Sequence, residues 1–163
     1  MRVEKSEECS HSRYMAIIDR STVLEASADL VWGHVKTPAA FRTVTRGLLF
    51  MPVIRQRNDG WREGETVVGW VFLFGILPFS RHHLHIVRVD DSARTLSSRE
   101  FGGLIRTWNH DIEVEPIDAL SCRYRDGIEI QAGILTPVIV LYARWFYRMR
   151  QLRWRALAKR MTS

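Results

Sequence analysis

Three ionisable residues of this chain, Glu100, His110 and Asp126, fall where strand alternation turns them toward an apolar interior. A carboxylate beside a histidine is the minimal unit for proton transfer, because it orients the imidazole and stabilises its charged form. Charged groups facing an apolar interior are costly unless paired, hydrogen-bonded or wet. The trio therefore marks either an acid/base site or a satisfied polar network that orients a ligand. These three are the catalytic candidates.

The assignment rests on the phase of consecutive strand-like runs. In Ile105 to Glu115, Trp108, His110, Ile112 and Val114 alternate with Asn109, Asp111, Glu113 and Glu115, a sharp apolar/acidic split that turns the even positions inward. Leu96, Ser98 and Glu100 share a face in the preceding run. Cys122, Tyr124, Asp126, Ile128 and Ile130 share one in the following run. Pairing across Gly102-Gly103 sets Glu100 near Arg106 or Trp108, and pairing across Pro116 to Ala119 sets His110 within a residue or two of Tyr124 and Asp126. In Thr66 to Phe74 the same parity turns Val68, Trp70, Phe72 and Phe74 inward, with His82, Leu84 and Ile86 of the next run. His83 and His85, an HxH pair with no evident third ligand, then point outward, so no metal site is assigned.

The elements that carry these residues follow a simple order. Residues 1–12 read as a polar tail and 13–161 as one domain. Tyr14 to Ala26 reads as a strand. Ser27 and then Thr37-Pro38 are start signals for two short helices. Phe50 to Arg57 is the first of the later strand-like runs, which are separated by turns such as Asn58-Asp59-Gly60 and Asp90-Asp91-Ser92. Pro137 to Arg160 closes the chain as a long helix, on which Val138, Leu141, Tyr142, Trp145, Met149, Leu152 and Ala156 recur at steps of three and four. The order predicts an α+β fold in which an antiparallel sheet needs a cover on one face, and that helix supplies it.

Composition narrows the function. With 163 residues, 46% hydrophobic and 26% charged, the chain has the make-up of a globular domain. Cys9 and Cys122 suggest no disulfide framework, and a reducing cytoplasm is the expected compartment. No secretory signal is read at the start, and the apolar run Val67 to Phe79 is too short to span a membrane. No phosphate-binding glycine loop, nucleophile elbow or HExxH is present, and no cofactor is assigned. The net charge of +6 belongs to the terminal helix, since Glu129 is the last acidic residue. Cations there suit the helix dipole and an exposed face. A contact with an anionic membrane is the further reading of the basic helix, and no nucleic acid is expected.

The segment Ser27-Ala28-Asp29-Leu30-Val31-Trp32, after Val23-Leu24-Glu25-Ala26, resembles the entry into the first helix of the START/Bet v1-like (SRPBCC) superfamily, which contains polyketide cyclases and lipid-transfer domains. The likeness extends through the strand order to Phe146-Tyr147-Arg148-Met149 and on to Arg155, covering residues 14–160. The stretch from Glu100 to Asp126 is similar to that of small bacterial members to which no activity is assigned. The resemblance implies a helix-grip fold, a curved antiparallel sheet of about seven strands around a long C-terminal helix with a hydrophobic cavity between. It implies no catalytic residue here, because no cyclase motif maps onto this sequence.

The leading expectation is binding, with transport as an extension, of a hydrophobic small molecule such as a lipid, quinone or polyketide. Trp70, Phe72, Phe74, Trp108, Tyr142 and Trp145 would line the cavity, and Glu100, His110, Tyr124 and Asp126 would meet the ligand's polar end. A cyclase or dehydratase using His110 and Asp126 is the second reading. A module docking on membranes or partners through the basic helix is the third. Oligomeric state is left open.

Overall fold

A computed structural model describes residues 15–162. The tail expected over residues 1–12 lies outside them. Strand β1 (Met15–Leu24) leads to helix α1 (Ala28–Val35), where the Ser27 hydroxyl accepts the Leu30 N–H at 3.4 Å. Thr37 does the same for Ala40 at 3.2 Å, and Pro38 takes the first position of α2 (Pro38–Thr45). Both start signals act as the sequence suggests.

The strand expected over Phe50 to Arg57 is a two-residue β2 (Leu49–Phe50) followed by a one-turn helix α3 (Pro52–Arg55). Pro52 explains the difference, since it lacks a ladder donor and its fixed φ suits the first turn of a helix. Then come β3 (Thr66–Leu73), β4 (Leu77–Asp90), β5 (Thr95–Gly102), β6 (Ile105–Pro116) and β7 (Cys122–Gln131). A 3₁₀ turn, Gly133–Leu135, opens α4 (Thr136–Met161). The described strands form one antiparallel sheet in the order β1-β7-β6-β5-β4-β3-β2, curled around α4. This is the α+β helix-grip architecture.

Two faces differ from the sequence reading. The β3–β4 hairpin pairs Phe72 with Pro78 at its tip, but a bulge follows and Val71 pairs with Ser80, Gly69 with His82 and Val67 with Leu84. One extra residue in β4, Phe79, thus changes the parity of all remaining pairs. Val67 and Val71 of β3 face the core, and Trp70 is turned outward at 53% exposure. The even positions of β4 do face inward, where Ser80, His82, Leu84 and Ile86 are buried.

Helix α4 is rotated from the expected stripe. Val138, Leu141, Trp145 and Leu152 are exposed, while Val140, Ala143, Phe146, Tyr147, Arg150, Gln151, Trp154 and Ala158 are buried. Apolar residues occur on every side of this helix, so spacing alone admits several faces. The buried face packs Phe146 and Tyr147 against Ile128 and Ile130 of β7, and burial of a side chain such as Phe146 contributes about 1.5–3 kcal/mol. Trp154 packs its ring on Tyr124 at 5.0 Å between centroids. The basic residues are not a uniformly solvated face either. Arg150 is buried, Arg153 donates to the Val44 and Arg46 carbonyls, and Arg155 donates to Thr22.

Candidate functional site

The register delivers the inward polar residues of four strands to one region. Leu84 pairs with Glu100, Glu100 with Trp108, Ser98 with His110, and Ile112 with Asp126. His82 Nε2 meets Glu100 Oε2 at 3.0 Å, and the Ser98 hydroxyl donates to Glu100 Oε1 at 2.7 Å. His110 Nε2 meets Asp126 Oδ1 at 2.8 Å. Tyr124 donates its hydroxyl proton to that same oxygen at 2.9 Å, and Arg150 Nη2 donates to the Tyr124 oxygen at 3.0 Å. Arg150 Nη2 stands 3.7 Å from Asp126 Oδ1.

Two histidine–carboxylate pairs and one arginine therefore occupy the interior together. Burial alone would raise the Asp126 carboxyl. The Arg150 charge, the hydrogen bond and charge of His110 and the Tyr124 hydroxyl outweigh it and hold Asp126 below its usual value. Burial likewise raises Glu100, and the His82 hydrogen bond and charge, the His110 charge and Ser98 reverse it, so Glu100 is also lowered. Both carboxyls are ionised at neutral pH. Burial pushes the Tyr124 phenol well above its usual value, which keeps it a donor to Asp126. Burial raises Tyr147 too, and its hydroxyl accepts from Trp108 Nε1 at 3.1 Å.

An ionised carboxylate only accepts, so Nε2 of each imidazole carries a proton, and in the neutral ring Nδ1 keeps its lone pair. Nδ1 of His82 and of His110 has no hydrogen-bond partner among the described residues. Asp126 Oδ2 and Arg150 Nε are likewise buried without a partner among them. The cluster is only partly satisfied from within.

A cavity of about 220 Å³ lies between the sheet and α4. Its walls are apolar, with Val71, Leu84, Ile105, Trp108, Ile139 and Phe146 among them, and its polar surface comes from His82, Glu100, His110, Tyr142, Tyr147 and Arg150. Burial pushes the Tyr142 phenol up to about 12, and its hydroxyl donates to the Leu48 carbonyl. Of the residues expected to form the site, Glu100, Trp108, His110 and Tyr142 line this cavity. Tyr124 and Asp126 are fully buried behind His110 and Arg150, to which they are hydrogen-bonded.

The other four expected residues lie elsewhere. Trp70 is on the outer face of the sheet, as the β3–β4 bulge requires. Phe72 is half-buried against Phe50, with ring centroids 6.1 Å apart. Phe74 sits at the hairpin tip in a left-handed conformation, φ 55°, with its ring against Tyr142 and Trp145. Trp145 stands beside it at the rim. Among the described residues no three His, Cys, Asp or Glu side chains converge to hold a metal, and His85 instead bonds the Thr66 hydroxyl on the outer face. Arg106, weighed as a partner for Glu100, is exposed and Trp108 takes that place.

Sequence reasoning turned His82 inward without giving it a role, and counted Arg150 only among the surface cations of the basic helix. The signal for Arg150 was the charge count. Two carboxylates turned inward from the sheet call for a buried cation, and Arg150 lies on the Val140–Ala143–Tyr147–Trp154 side of α4.

A family model described as a domain of unknown function, DUF8410, matches residues 22–161. The chain belongs to the DUF8410 family. No curated protein sequence matches this DUF8410 chain. Its fold is similar to that of the Zhui aromatase/cyclase from Streptomyces sp. R1128, with a TM-score of 0.72 at 10% identity over 91% of this chain and 96% of that one. A START superfamily protein from Mycobacterium smegmatis gives 0.68 at 9% identity, over 89% and 98% of the two chains. Norcoclaurine synthase from Thalictrum flavum, solved in complex with dopamine and hydroxybenzaldehyde, gives 0.64 at 16% identity over 90% and 87%. The fold of this DUF8410 member is therefore that of the Bet v1-like, or SRPBCC, superfamily.

Proposed function

We propose that the cavity binds a compact hydrophobic small molecule whose polar end carries a hydrogen-bond acceptor. One observation carries this reading. An apolar chamber ends on Arg150, a buried cation with Nε unpartnered, beside two histidines that each have a ring nitrogen to spare. Ligand sites generally combine apolar walls with a few directed polar groups. An oxygen that accepts from Arg150 and carries a proton for an imidazole Nδ1, as in a phenol or a carboxylic acid, suits this set of one donor and two acceptors.

Size narrows the class. About 220 Å³ is below the roughly 300–1,000 Å³ usual for drug-sized ligands. A molecule of one or two rings, or a short chain whose tail emerges at the mouth, matches that volume. The neighbour solved with dopamine and hydroxybenzaldehyde holds compounds of this scale on the same fold. Quinones and small polyketide-like aromatics fit the description, and long-chain lipids do not fit enclosed.

The two histidine–carboxylate pairs favour a second reading, an enzyme that moves protons on the bound molecule. His110 would take a proton at Nδ1, with Asp126 stabilising the imidazolium through Nε2, while Arg150 holds developing negative charge on oxygen. The Zhui neighbour, described as an aromatase/cyclase, is consistent with such chemistry on this fold.

The test is native mass spectrometry of the purified protein, followed by a panel of quinones, hydroxylated aromatics and short fatty acids read by melting temperature. Binding should be lost on Val71→Trp, which fills the chamber from a wall position. If no compound is retained or raises the melting temperature, the reading fails. A pH–rate profile that changes on His110→Gln would separate turnover from binding alone.

A further inference from the structure

The molecule is polarised along its strand direction. The β3–β4 and β5–β6 tips, the β7–α4 turn and the start of α4 all lie at one end of the sheet, as the pairs Leu73–Leu77, Gly102–Ile105 and Thr107–Gln131 require. The cavity opens there, since Leu73, Ile105, Val138 and Ile139 line it. This end exposes large apolar side chains on three separate segments. Ile76 is 83% exposed, Leu104 60%, Ile134 84% and Leu141 71%. Exposed apolar groups scattered singly are ordinary, but here they converge on one rim.

Charge is distributed with equal bias. No Asp or Glu occurs in residues 70–82, 101–108 or 130–145, the stretches of β3–β4, β5–β6 and β7–α4 nearest that end. Arg81, Arg106 and Arg144 are exposed there and pair with no carboxylate among the described residues. Carboxylates gather at the opposite end, where Asp90 and Asp91 occupy the β4–β5 turn and Asp118 the β6–β7 turn, and where Lys36–Asp91 and Arg94–Asp29 are paired.

We propose that this rim docks on an anionic lipid bilayer, with the cavity mouth facing the membrane. Apolar tips that enter the headgroup boundary beside unpaired arginines satisfy both requirements of interfacial binding, buried apolar area and attraction to anionic lipid. A second copy of this chain is a poorer occupant, because two arginine-bearing rims repel each other. The basic C-terminal half of α4 is not the contact surface, since Arg150, Arg153 and Arg155 are engaged within the protein. A hydrophobic guest would pass between bilayer and cavity without crossing water, but docking itself does not depend on the identity of any guest.

Co-sedimentation with vesicles of phosphatidylcholine alone and of phosphatidylcholine mixed with phosphatidylglycerol tests the proposal on the full chain. Binding to the mixed vesicles should weaken with salt, and each of Arg81→Gln, Arg106→Gln and Arg144→Gln should weaken it by about fivefold. Ile76→Asp with Leu104→Asp should weaken it by about tenfold or more, with the melting temperature unchanged because both side chains are exposed. Arg160→Gln, at the far end of α4, should leave binding intact. Absence of binding to mixed vesicles at low salt overturns the proposal. So does binding that Arg160→Gln reduces as much as the rim substitutions do, or a rim that Ile76→Asp shows to be a self-association surface with no affinity for vesicles.

Discussion

His110 and Asp126 hold each other across β6 and β7 from diagonal positions. His110 is paired in register with Ile128, and Asp126 with Ile112, yet Nε2 and Oδ1 meet at 2.8 Å. The diagonal leaves room for Tyr124 and Arg150 to reach the same carboxylate, so one oxygen anchors three elements of the site. His82 and Glu100 repeat the arrangement between β4 and β5, where Leu84 rather than His82 is Glu100's register partner.

Acid should loosen the protein through these carboxyls. Asp126 and Glu100 have folded-state pKa values below their ordinary ones, so the unfolded chain binds more protons around pH 4. The stability they contribute is fully present above the ordinary carboxylate range and is lost as pH falls through their depressed values. Thermal melts between neutral and acid pH should show Asp126→Asn with a shallower loss than the parent chain. Parallel curves would remove Asp126 from the account.

Arg150 should be among the costliest single truncations. Replacing it by Met strips a buried carboxylate of its cation, and breaking such a pair costs about 3–5 kcal/mol. The double variant Asp126→Asn, Arg150→Met should recover part of that loss. Denaturant titration of both variants and the parent measures the coupling, and strictly additive effects would contradict the ion-pair description.

Trp70 and Trp108 should behave oppositely. Trp70→Ala, on the outer face, should change stability by no more than about 0.5 kcal/mol and leave ligand retention intact. Trp108→Ala removes a cavity wall and the donor to Tyr147, and should weaken binding of any retained compound by about tenfold or more. The compound found by native mass spectrometry is the probe.

Gly102 of β5 lies directly against the β4 backbone. A Cβ there would stand 2.2 Å from the Arg81 carbonyl oxygen and 2.9 Å from the His82 Cα. Gly102→Ala must push β4 aside next to His82, at a cost of about 1–3 kcal/mol. Melting temperature reads the cost, and an unchanged value would show that the strands yield more easily than close packing implies.

Legibility varied with the clarity of local contrast. The inner faces of β5, β6 and β7 could be read because Asp111, Glu113 and Glu115 alternate with Trp108, His110, Ile112 and Val114, and neither β6 nor β7 is bulged where they pair. The face of β3 could not, because its own residues are apolar on both sides and the decisive bulge lies at its junction with β4. The run after Phe50 carries the β-branched content of a strand, yet Pro52 begins α3 there. The buried face of α4 is not legible locally, because Leu141 and Trp145 are as apolar as Val140 and Phe146.

The order of elements and the shared inner face of Glu100, His110 and Asp126 were legible in the amino-acid sequence alone. These follow from alternation and turn chemistry, which act between near neighbours. Which side of α4 meets the sheet was settled by packing in three dimensions, and with it that Arg150 joins the polar cluster while Leu141 and Trp145 stay at the rim. The physical reason is that a helix apolar on every side chooses its buried face by what the sheet presents, and this sheet presents two buried carboxylates that need a cation.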